Sequence, residues 1–159
     1  MEFGPAVPTA SSTPLDIAET QLNVRETPGQ PNRGQQVDVY IKGCGLDPAG
    51  NPPKGYSWCA AFVVWCHRQA GVKMPRIPGV KNLWDTCADN RVDQPEPGDV
   101  FVHLKPDGLG HVGFVYEVYD DGSYATIEGN SNAAGSREGD GVCRNKRPAD
   151  YAVGYLRFT

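Results

Sequence analysis

Cys59 is the residue of this chain best placed to do chemistry. It closes the segment Tyr56-Ser57-Trp58-Cys59, behind the Pro/Gly-rich stretch Asn51-Pro52-Pro53-Lys54-Gly55. It also opens the apolar run Ala60-Ala61-Phe62-Val63-Val64-Trp65-Cys66. An apolar run of this kind after a Pro/Gly loop predicts a helix, with Ser57 as its natural N-cap. A thiol in the first turn of a helix sits in the positive end of the helix dipole, which favours thiolate over thiol. Taken alone, a cysteine in an apolar helix is far more often an inert small hydrophobe. The partners downstream change that weighting.

His111 lies in the alternating stretch His111-Val112-Gly113-Phe114-Val115-Tyr116-Glu117. In a strand, His111, Gly113 and Val115 share one face and Val112, Phe114 and Tyr116 the other. Gly113 would leave a side-chain-sized gap beside the imidazole through which a substrate could reach it. After the hairpin turn at residues 120–123, Glu128 and Asn130 are two apart on the next strand and are expected to point the same way. Either could orient the ring of His111 and fix its tautomer. The set Cys59, His111, Glu128 and Asn130 has the parts that nucleophilic acyl transfer needs. These are a thiolate nucleophile, a base that takes its proton and returns it to a leaving amine, and a third group that holds the base. The backbone N–H of Cys59 is a ready donor to an oxyanion. Ser57, Trp58 and Gly113, next to the reacting groups, are candidates for substrate contact.

The elements that must position these groups fall into two halves. Helices are expected over residues 14–26, 34–43, 58–70 and 80–88, with the third buried all round except at His67, Arg68 and Gln69. Pro95-Glu96-Pro97-Gly98-Asp99 marks the change from helical to strand period. Strands are expected over 100–104, 111–119, 124–128 and 151–158, with a loop over 133–141. Helices followed by an antiparallel sheet make an α+β fold, with a buried nucleophile helix packed on the sheet. Residues 1–13, rich in Pro, Ser, Thr and Ala, read as a flexible leader, and 14–159 as a single domain. No secretory signal is evident in the leader.

Composition narrows the function classes. The 159 residues are 39% hydrophobic and 21% charged, which suits one ordinary globular domain. The net charge of −4 gives no basic footprint for nucleic acid or an anionic membrane surface. No apolar run spans a bilayer. Five cysteines (Cys44, Cys59, Cys66, Cys87 and Cys143) match no dense disulfide framework and read mainly as free buried thiols, Cys66 among them as core. There is no C-x-x-C and no His-x-x-x-His, so no zinc site is expected. Asp47, Asn51 and Asp99 lack the alternating spacing of a calcium loop. His67, on the polar side of its helix, and His103 read as structural. No cofactor is called for.

Four segments in this order resemble the CHAP family of cysteine, histidine-dependent amidohydrolases and peptidases, relatives of NlpC-like and papain-like enzymes. They are Tyr56-Ser57-Trp58-Cys59-Ala60-Ala61-Phe62-Val63, Pro97-Gly98-Asp99-Val100, Gly110-His111-Val112-Gly113-Phe114-Val115 and Ile127-Glu128-Gly129-Asn130. Asn23 to Gly29, with Asn32-Arg33-Gly34, also resembles the lead-in of phage-type and toxin-type members. The resemblance covers residues 15–158. It implies a papain-like α+β fold and hydrolysis of an amide bond in bacterial cell-wall peptide, either muramoyl–L-Ala or a peptide link of the stem or cross-bridge. By position, Cys59 matches the family nucleophile, His111 the base, Glu128 the third residue and Asn130 the amide that follows. Loops 47–55, 75–81 and 133–144 would line the groove.

The implied partner is peptidoglycan peptide, acted on at the wall or in the periplasm by a bacterial or phage protein. Such a protein would be delivered, released on lysis or part of a longer chain, with an immunity protein as partner if it is a delivered toxin. The rival readings are an amidase of the same fold acting on a small soluble amide such as a polyamine–peptide conjugate, and a non-catalytic wall-binding or partner-binding module. A binder has no need of Cys59, His111 and Glu128 together.

Overall fold

The computed structural model describes residues 12–50, 57–107, 109–131 and 140–159. The leader up to residue 11, residues 51–55 of the expected 47–55 loop and residues 133–139 of the expected 133–144 loop lie outside the described residues. Among the described residues four α-helices come first: α1 (Pro14–Thr20), α2 (Gln35–Gly43), α3 (Cys59–Gln69) and α4 (Val80–Thr86). Six strands follow: β1 (Arg91–Val92), β2 (Val100–Leu104), β3 (Gly110–Val118), β4 (Tyr124–Ser131), β5 (Gly141–Arg147) and β6 (Gly154–Leu156). They form one antiparallel sheet in the order β1-β6-β2-β3-β4-β5. The fold is α+β, as expected, with α3 packed against β3 and β4 on one side and α1 and α2 on the other. Among the described residues, no helix is long and apolar enough to cross a membrane.

The burial of α3 follows from its composition. Every residue from Cys59 to Val64 is buried, as are Cys66 and His67. Phe62 meets Phe114 of β3 edge-on at 6.1 Å, and Tyr40 of α2 packs on Trp58, Phe62 and Trp65. The close seat of α3 on β4 depends on Gly129, where a Cβ would come within 2.8 Å of Phe62 and 2.9 Å of Trp58. His67 departs from the expected polar face. Its ring stacks on Phe114 at 5.3 Å and its Nδ1 lies 2.8 Å from the Val63 carbonyl. Burial holds its pKa down, at about 4, so it stays neutral in the core.

β3 shows the expected two faces. Val112 and Phe114 join the core under α3, while Val115 joins Phe101, Tyr124 and Tyr155 in a second cluster. The turn after β3 has Gly122 at φ 87°, with Asp121 Oδ1 accepting from the Ser123 amide. Asp99 is a structural carboxylate: it accepts from Arg157 Nε and Nη2, both at 2.8 Å.

Several boundaries differ from the sequence reading. α1 ends at Thr20 rather than 26, and Asn23 behind it is left-handed at φ 75°. Thr13, assigned to the leader, belongs to α1: its hydroxyl accepts from the Asp16 amide at 3.1 Å and Asp16 accepts from the Thr13 amide at 3.0 Å. α3 is capped by Trp58 without a side-chain bond, and Ser57 lies outside it. β4 runs three residues beyond 128. The last strand is only three residues long. β1 and β5 were not expected at all. β5, Gly141-Val-Cys-Arg-Asn-Lys-Arg147, reads as polar because it is an edge strand. Arg144 and Lys146 stack on the rings of Tyr116 and Tyr119, and such charges blunt an edge against pairing with other chains.

Candidate active site

Cys59 is the first residue of α3, where the leading N–H groups have no partner within the helix. It is 3% exposed. Burial pushes its thiol pKa up, but the imidazole of His111 and the amides of Val112 and Ala60, which donate to the sulfur, reverse this. The net shift is downward. The other buried thiols behave oppositely, and Cys66, two turns along the same helix, is pushed well up by burial alone. All five cysteines are free.

His111 sits at the second position of β3 and is fully buried. Its Nε2 lies 2.9 Å from Glu128 Oε1. Nδ1 is buried with no partner at hydrogen-bond distance, and it is the ring nitrogen left to serve Cys59. With the proton on Nε2 held by the carboxylate, Nδ1 presents its lone pair as a base. Burial alone would lower the His111 pKa, but Cys59 and Glu128 outweigh it and raise it to about 9. A lowered thiol beside a raised imidazole favours transfer of the thiol proton to Nδ1, which gives a thiolate–imidazolium pair.

Glu128 is the hub behind the histidine. It is fully buried and accepts from Thr126 Oγ1 at 2.6 Å, Ser131 Oγ at 3.0 Å and Asn145 Nδ2 at 3.4 Å. Arg147 binds it with both arms of the guanidinium, Nε at 2.8 Å and Nη2 at 2.6 Å. Burial works to raise the Glu128 pKa, but His111 and Arg147 bring it down to about 2. The carboxylate is therefore ionised throughout the physiological range.

Asn130 does not join Glu128 at His111. The β4–β5 pairing shifts register between Glu128 and Ser131, and Asn130 is left-handed at φ 54°. The bulge breaks the alternation that would have set the two side chains on one face. Asn130 Nδ2 instead donates to Ser57 Oγ at 2.8 Å. Ser57 is exposed and lines a cleft of about 240 Å³ together with Cys59, Gly79, Lys81, Asn82 and Leu109. This cleft is bounded by part of the expected 75–81 loop. Two larger hollows, beside residues 25–31 and 93–95, are lined by none of Cys59, His111, Glu128 and Asn130.

Two expected substrate contacts are corrected. Trp58 is wholly buried, with its Nε1 donating to Glu26 Oε2 at 2.8 Å and its ring packed on Tyr40, so it offers no face to a ligand. Gly113 leaves no gap. A Cβ there would lie 2.7 Å from the Phe101 ring and 2.9 Å from Glu128 Cγ, so the missing side chain makes room for these two residues. Arg147, Thr126, Ser131 and Asn145 were not foreseen. The signal was present for Arg147: an ionised Glu in the apolar strand Tyr124-Ala-Thr-Ile-Glu128 needs a buried cation. The run Arg144-Asn-Lys-Arg147, however, looks like a solvated face. His103 is held structurally, stacked on Tyr151 at 4.1 Å with Nδ1 2.8 Å from the Tyr151 carbonyl. Among the described residues, no three His, Cys, Asp or Glu side chains gather as a metal site.

Compared with known proteins, residues 51–130, just over half of the chain, match the family model of the CHAP domain. No curated protein matches the sequence.

Proposed function

This chain belongs to the CHAP family of cysteine, histidine-dependent amidohydrolases and peptidases, and from that premise we propose that it is a peptidoglycan hydrolase cleaving an amide bond of bacterial cell-wall peptide. The observation that carries the reading is the line Cys59–His111–Glu128, with a lowered thiol on one side of a buried imidazole and an ionised carboxylate 2.9 Å away on the other.

In this reading the Cys59 thiolate attacks the amide carbonyl. The oxygen takes up negative charge and is met by the Cys59 N–H, which as the first of α3 has no acceptor within the helix. The imidazolium of His111 delivers its proton to the departing amine as the C–N bond breaks, leaving a thioester on Cys59. Neutral His111 then takes a proton from water, which attacks the thioester. The acid product leaves and the thiolate–imidazolium pair is restored. Glu128 keeps its charge throughout and holds the ring. Ser57, fixed by Asn130 at the cleft, is a substrate contact, and the site of action is the cell wall.

Digestion of purified peptidoglycan followed by mass spectrometry of the soluble muropeptides tests this. The expected result is release of fragments with one newly freed amine and carboxylate at a single type of amide bond, and none from Cys59→Ala. Intact peptidoglycan together with turnover of small soluble amides would overturn the substrate class. Full activity in Cys59→Ala would overturn the mechanism.

A further inference from the structure

The carboxylate that holds His111 is itself held, and by an element that the CHAP match does not reach: the match ends at residue 130, and Arg147 lies on β5. Arg147 is 8% exposed. Its guanidinium spans both oxygens of Glu128, at 2.8 Å to Oε2 and 2.6 Å to Oε1, and its Cζ sits 4.4 Å over the ring of Tyr151. Oε1, the oxygen facing His111 Nε2, is the same atom that Nη2 grips. A planar fork fixes a carboxylate in place and in plane, which a single-point donor does not.

We propose that Arg147 is a positioning residue for the reaction, its fork locking Glu128 in the place and charge state from which it holds His111 against Cys59. The inference rests on the Cys–His–Glu reading above.

In the thiolate–imidazolium form the four groups make a buried row of alternating charge, Arg147⁺, Glu128⁻, His111⁺ and Cys59⁻, whose sum is zero. Taking Arg147 away leaves two courses, and both act on Cys59 in the same direction. If Glu128 stays ionised, the site gains a net negative charge and the thiolate is disfavoured. If Glu128 takes up a proton, His111 loses the charge that keeps it an imidazolium, and the thiolate loses its partner. A fork that serves the fold alone would leave the thiol's ionisation where it was.

The test reads the thiol directly and needs no substrate. The rate of iodoacetamide alkylation of Cys59 is followed against pH in the full chain, with peptide fragmentation separating Cys59 from Cys66. In Arg147→Met the apparent pKa of Cys59 is expected to rise by about one unit, with a matching rise of the acid limb of the pH–rate profile. In the double variant Glu128→Gln/Arg147→Met the profile is expected to match that of Glu128→Gln alone. Should Arg147→Met fail to fold, Arg147→Lys carries the measurement: it keeps the charge but not the fork, and a smaller rise in the same direction is expected. A folded Arg147→Met, or failing that Arg147→Lys, whose alkylation profile superimposes on the unmodified chain overturns the proposal. A chain that leaves peptidoglycan intact while its Cys59 pKa still moves with Arg147 would overturn the proposed function and leave this inference standing.

Discussion

Asn130 Nδ2 donates to Ser57 Oγ at 2.8 Å, which ties the bulge at the end of β4 to the residue two before the nucleophile candidate. Asn130 thus acts on the Cys59 side of the site, while Glu128 alone holds Nε2 of His111. The two residues, equivalent candidates by sequence, have separate positions and should have separable effects.

Glu128→Gln is expected to lower kcat on the order of 10²–10⁴-fold, because the imidazolium loses its countercharge and the ring its fixed tautomer. Asn130→Ala removes one neutral hydrogen bond and is expected to cost about 1 kcal/mol, roughly fivefold in kcat/KM. Steady-state kinetics on one muropeptide, with circular dichroism to verify folding, checks both. Equal losses in the two variants would refute the division of labour.

Activity should follow a bell in pH. The acid limb reports Cys59, whose pKa lies below that of an ordinary thiol. The alkaline limb reports loss of the His111 proton at about 9. Stability runs in parallel on the alkaline side. The His111 pKa is raised from 6.5, so its contribution is full below pH 6.5 and is lost as pH rises through about 9. The Glu128 pKa is lowered from 4.5, so its contribution is full above pH 4.5 and is lost as pH falls toward 2. Rates measured from pH 4 to 10 and melting temperatures measured from pH 2 to 10 test this. A rate still climbing at pH 10, as for an unassisted thiol, is the contrary result.

Gly113→Ala is expected to destabilise the fold by about 1–3 kcal/mol, since the new methyl would press on the Phe101 ring at 2.7 Å and on Glu128 Cγ at 2.9 Å. It should also lower activity by displacing Glu128. Urea denaturation gives the first quantity and kinetics the second. An unchanged midpoint with altered KM alone would restore the idea of an open substrate gap.

Much of the helical half and the central hairpin was legible in the sequence, because period and punctuation there agree with burial. The all-apolar run after Cys59 gave a buried helix, and Val112, Phe114 and Val115 fell on the faces that alternation assigns. β5 was not legible: Arg144, Lys146 and Arg147 mimic a solvent-facing loop. Their cationic heads sit over the rings of Tyr116, Tyr119 and Tyr151, contacts that local sequence does not show.

By itself, the sequence determined the chemical cast, with a thiol at a helix start, an imidazole on a strand and two polar candidates two residues apart, and it determined the α+β order of the elements. Only the tertiary structure decided which candidate meets the ring. A one-residue bulge with Asn130 at φ 54° breaks a period-two pattern that local sequence leaves intact. The structure also filled the space beside Gly113 with Phe101 and Glu128, and supplied Arg147 to a carboxylate nineteen residues away. Burial and ion pairing are properties of the assembled core. The charge on Glu128, and through it the ionisation of His111 and Cys59, is therefore set by packing that no local stretch of chain contains.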